Sequence, residues 1–75
     1  MRYHVFLQPE PEGGFTAVVP ALPGCVTWGR TLEKARAMAA DAIEAYLASL
    51  RKHGEPIPSE DPGFVTSVEV REAVG

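Results

Sequence analysis

One cysteine, two histidines and ten carboxylates are what this 75-residue chain offers for covalent, metal or acid–base chemistry. A catalytic thiol needs a base or an electropositive surround. Cys25 lies in VVPALPGCVTWGRTLEKA, residues 18–35, and the two histidines, His4 and His53, are both remote from it in sequence. A cysteine without such help behaves as a small apolar side chain, so Cys25 reads as packing and not as a nucleophile. No Cys-x-x-Cys or paired-histidine spacing is present, so no metal site is expected, and a single cysteine excludes an intrachain disulfide. Hydrolytic carboxylates must converge from rigid elements. Glu10, Glu12, Glu55, Glu60 and Asp61 instead fall in Pro- and Gly-rich stretches, and Glu69 stands alone. No catalytic residue and no cofactor is therefore assigned, and the chain is not read as an enzyme. What remains is binding. Glu10 and Glu12 are candidates for an acidic rim that meets a basic partner. Trp28 reads first as core, but with Arg30 it also forms the kind of pair enriched at interface hot spots. These four are the candidate partner-binding residues.

The elements that would position them follow from composition and pattern. An apolar fraction of 45% with 23% charged residues predicts one folded domain spanning residues 1–75. A chain of this length buries only about 60% of its unfolded surface, and oligomerisation is the usual remedy when disulfides and metals are absent. The formal charge of −3 argues against a phosphate-backbone partner, which needs a basic stripe. The N-terminus MRYHVFLQPEPEGG carries neither a signal peptide nor a membrane span, so a cytoplasmic protein is expected.

Residues 2–8 alternate as a strand, with Tyr3, Val5 and Leu7 on one face and His4, Phe6 and Gln8 on the other. PEPEGG turns the chain, with Gly13 and Gly14 supplying positive φ, and residues 15–19 return as a second strand to make a hairpin. Pro20 cuts that strand. Leu22-Pro23-Gly24-Cys25 fits a type II turn, Pro23 fixing φ at its second position and Gly24 taking the positive φ at its third. Residues 25–29 form a third strand that ends at Gly29. Thr31 is the expected N-cap of a helix from Leu32 to about His53, stopped by Gly54 and Pro56. Its apolar stripe is Leu32, Ala35, Ala39, Ala42, Ile43, Tyr46, Leu47 and Leu50. A Pro-rich crossing over 55–63 leads to a fourth strand at 64–70, with Phe64, Thr66, Val68 and Val70 on one face. The order is β-β-β-α-β, an α+β layer with a small antiparallel sheet and one long helix packed on one face. One helix leaves the other sheet face bare. Phe6, Val18 and one of Val26 or Trp28 then need cover, and a second subunit would provide it.

Read in order, Gly13-Gly14-Phe15, Pro20-x-x-Pro23-Gly24-Cys25, Gly29 and Thr31-Leu32 before the helix, then Gly54-Glu55-Pro56-Ile57-Pro58, make a combination that resembles the HicB-like antitoxin family. The resemblance runs from Tyr3 to Pro58. It implies a partial ribonuclease H-like sheet and helix, without catalysis, since the first strand lacks the metal-binding carboxylates of a ribonuclease H. It also implies a type II toxin–antitoxin role: neutralising a small HicA-type toxin that cleaves messenger RNA, by covering its active surface, if such a toxin is encoded nearby. A homo-oligomer, dimer or tetramer, is expected. Many members of that family carry a C-terminal DNA-binding region. Here FVTSVEVREAVG offers neither a helix pair nor a basic cluster, so DNA binding is not expected. The alternative is an orphan homo-oligomer with a structural or regulatory role and no dedicated toxin.

Overall fold

Alternation and turn chemistry produce three short strands in a meander, β1 (Phe6–Pro9), β2 (Phe15–Val18) and β3 (Val26–Gly29), before one long helix, α1 (Leu32–Lys52). The computed structural model describes residues 1–60 and 65–72. Both strand pairs are antiparallel, and the sheet order is β1-β2-β3. The register aligns Phe6 with Val18 and Val18 with Val26, and at the far end Pro9 with Phe15 and Phe15 with Gly29. The arrangement is the expected α+β layer, with α1 covering one face of the sheet.

The first strand starts later than its alternation suggests. Carried back two residues, the register would set His4 against Pro20, which has no N–H to donate. The chain before Phe6 is therefore unpaired, although Tyr3 and Val5 still pack against the core.

The helix ends as its sequence requires. The Thr31 hydroxyl oxygen accepts the Lys34 N–H at 3.1 Å, and Glu33 lies in the first turn beside the positive end of the helix dipole. At the other end Gly54 takes φ +67°, the Gly54 N–H donates to the Arg51 carbonyl, and the Glu55 N–H donates to the Leu50 carbonyl. That pair of bonds is a Schellman motif.

The stripe faces the sheet through Ala35, Ala39 and Leu47, which are buried, with Ala42, Ile43, Tyr46 and Leu50 partly so. Leu32 departs from expectation and is exposed. As the first helical residue its side chain leans back toward the N-terminus, beyond the cover of the sheet. Small residues let helix and sheet approach closely. A Cβ placed on Gly29 would lie 2.2 Å from the Ala35 backbone nitrogen, so this position cannot carry a side chain.

The proposed type II turn is present: the Cys25 N–H donates to the Leu22 carbonyl at 2.9 Å and Gly24 has φ +81°. The Val19 N–H donates to the Cys25 carbonyl, closing the corner at its base. This corner supplies most of the main buried cluster, in which Val19, Leu22 and Cys25 pack with Leu47. The Tyr46 hydroxyl donates to the Pro23 carbonyl at 2.9 Å and ties the corner to α1.

The fourth strand is a correction. Phe64 lies outside the described residues, and residues 65–70 form no strand, leaving Val65, Val68 and Val70 exposed by 85%, 78% and 77%. A strand exists only against a partner edge, and alternation alone does not supply one. The Tyr3 hydroxyl donates to the Pro58 carbonyl, and both the backbone N–H and the ring Nδ1 of His4 bond the Glu60 carboxylate. Residues 58–60 are thus held beside the N-terminal segment, while 65–72 extends away without sheet contact. The radius of gyration is 15.7 Å, against about 11 Å for a compact chain of this length.

Candidate partner-binding site

Successive residues of a strand point to opposite faces, and partners across a ladder share a face. The register therefore sorts the sheet without ambiguity. Ala17, Val19, Cys25 and Gly29 face α1 and are buried. Phe6, Val18 and Val26 form one row of the other face, and Gln8, Thr16 and Trp28 form the next. On this open face Phe6 is 52% exposed, Val26 57% and Trp28 49%. Both Val26 and Trp28 belong to it, where the sequence pattern required only one of them. Reading Trp28 as core is thereby overturned: its neighbours Thr27 and Gly29 face the helix, so the alternation of β3 turns the indole to the opposite side.

The four candidate partner-binding residues gather at one end of the sheet. Glu10 and Arg30 each follow the last residue of their strands, Pro9 and Gly29, which the register puts at the same end. The Trp28 indole covers Gly14: a Cβ there would come within 2.2 Å of the ring, and Gly14 also has φ +78°. Gly13, at φ +107°, completes the turn, and its N–H donates to the Glu10 carbonyl. Glu12 and Arg30 are exposed. Glu10 is half-buried, and its carboxylate accepts the Thr16 hydroxyl at 2.6 Å, so it braces the hairpin as well as bordering the open face.

The remaining reactive groups do not converge. Cys25 is buried on the helix side, and burial pushes its thiol above its ordinary pKa, the reverse of what a nucleophile needs. His53 caps α1, its Nδ1 bonding the Ser49 carbonyl, while His4 bonds Glu60. Among the described residues no three His, Cys, Asp or Glu side chains come together to hold a metal ion, and no helix is long and apolar enough to cross a membrane. Leu22 is the structural residue that pattern reading passed over: it sits inside a turn, yet it is fully buried.

The chain is thus a one-sided α+β layer with an exposed aromatic and aliphatic sheet face. The family described as the HicB_like antitoxin of bacterial toxin-antitoxin system matches residues 3–72, and the chain belongs to it. It is 41% identical over 66 residues to the UPF0150 protein Ta0767 of Thermoplasma acidophilum, covering 88% of this chain and 96% of that protein. It is 42% identical over 60 residues to the UPF0150 protein ssr1765 of Synechocystis sp., covering 80% of this chain and 76% of that one. It is also similar to Antitoxin HicB 1 of Photorhabdus laumondii, at 39% identity over 62 residues, which are 83% of this chain and 40% of that antitoxin.

Proposed function

We propose that this HicB-like protein is a non-enzymatic antitoxin that self-associates and neutralises a small, basic HicA-type ribonuclease by direct binding through the open face of its sheet. The observation that carries this reading is the exposed Phe6, Val26 and Trp28 on a face its own helix does not cover. An apolar surface centred on an aromatic and rimmed by Glu12 and Arg30 matches the anatomy of an interface core with a polar border. The formal charge of −3 favours a basic partner over a nucleic acid. Membership of the antitoxin family supplies the kind of partner. Binding here needs no chemistry from the antitoxin, only steric cover of the toxin's active surface.

The test is co-expression of the tagged chain with a small basic protein encoded beside it. A stable co-purifying complex and rescue from growth arrest are expected. If such a toxin is expressed and neither complex nor rescue follows, the antitoxin reading fails. A second reading, a homo-oligomer with a structural or regulatory role and no toxin, is favoured by one observation: the unpaired, valine-rich segment 65–72 suits self-association by itself.

A further inference from the structure

The segment Val65–Glu72, VTSVEVRE, has the attributes of a strand apart from a partner. Its residues alternate, half of its side chains are β-branched, and its valines are exposed instead of packed on the chain's own sheet. The sheet has the complementary deficiency. Among the described residues its order leaves β1 and β3 each paired on one side only, and an open edge is a template for one more strand. We infer that two copies of this chain exchange these segments, residues 65–72 of each pairing with the outer edge of β1 in the other to make two four-stranded sheets.

Three observations select a second copy as the occupant, and β1 as the edge. First, one chain carries both the unpaired strand and the unpaired edge, so a two-fold pair satisfies both at once, whereas a different protein would satisfy one and leave the other bare. Second, the bonds of Tyr3 to Pro58 and of His4 to Glu60 deliver the chain beside the segment that leads into β1, from where 65–72 departs without folding back. Third, Pro56 and Pro58 fix φ in the connection after the helix, stiffening the approach and favouring exchange over a tight return. The exchanged strand leaves the open face of each sheet uncovered and widens the sheet that carries it. The inference rests on the self-association in the reading above and is independent of toxin binding.

The test uses the full chain and a Val68→Pro/Glu69→Pro double variant. Adjacent prolines remove two consecutive N–H groups, which point to opposite sides of a strand, so one of them must be a ladder donor. Both residues are exposed in the single chain, so the helical circular dichroism is expected to be unchanged. Size exclusion with light scattering should give twice the chain mass for the wild type and the chain mass for the variant. Hydrogen exchange should show residues 65–70 protected in the wild type and open in the variant. A variant that keeps the wild-type mass, or a dimeric wild type with 65–70 unprotected, overturns the exchange while leaving self-association standing. A monomeric wild type overturns both. Loss of toxin binding alone touches neither.

Discussion

The two faces of the same three strands are built from different residues for different ends. On β2, Ala17 and Val19 are sealed beneath α1, whereas Thr16 and Val18, each one residue away, look outward. Where the helix starts, the sealed side uses small residues: Gly29 lies against the Ala35 backbone, and Ala17, Ala35 and Ala39 are all buried. The outward side carries Phe6, Val26 and Trp28, each about half in water, whereas Leu7 and Phe15 turn toward the helix side and are half-buried. A fold concerned only with its own stability gains most by placing aromatics inside, where each contributes a large buried area. Phe6 and Trp28 forgo part of that gain by lying half in water, so the single chain draws its stability mainly from the helix-covered side.

Substitutions can break or sharpen this contrast. The largest effect belongs to the sealed side: Leu22→Ala removes a fully buried side chain from the corner and should cost about 2–5 kcal/mol. Chemical denaturation measures it, and against a total of about 5–15 kcal/mol it would leave a marginal domain. A loss as small as that of a surface change would mean that the corner is not the centre of the core. The open side should respond weakly in the same assay. Phe6→Thr keeps β propensity and removes a ring already half in water, so a loss of about 1 kcal/mol or less is expected. A loss equal to that of Leu22→Ala would erase the distinction between the faces.

The smallest effect concerns Cys25. Because burial raises the thiol pKa in the folded state, folded and unfolded chains hold the proton equally below the ordinary thiol pKa. The stability so maintained is lost as pH rises through the raised folded value. A thiol reagent at neutral pH should therefore label the folded chain far more slowly than the denatured one, and stability should decline only in alkali. Equal labelling rates would place Cys25 at the surface.

Elements governed by local rules were legible in the sequence. Thr31 and Gly54 bound the helix because capping depends on a few adjacent residues, and Pro23-Gly24 formed the turn its φ preferences demand. The family was legible for a related reason, since its ordered Gly and Pro positions are those the backbone geometry needs. What depended on tertiary context was not. Leu22 is core because the corner folds under α1, which its turn position does not reveal. Trp28 went to the open face because its neighbour Gly29 is the position pressed against the helix start, and successive residues of a strand point to opposite sides. The fourth strand failed because alternation specifies a strand but not the edge it pairs with. Of the candidate site, Trp28, Arg30, Glu10 and Glu12 were drawn together only by the hairpin register, and Phe6 and Val26 joined them through it.

The central claim is that the open face binds the partner, and isothermal titration of the cognate small basic ribonuclease against wild type and a Phe6→Thr/Trp28→Thr variant tests it most directly. Interface anchors of this kind are worth about 2 kcal/mol or more, so affinity should fall by at least about thirtyfold while the helical circular dichroism is retained. Unchanged affinity in a folded variant would contradict the account.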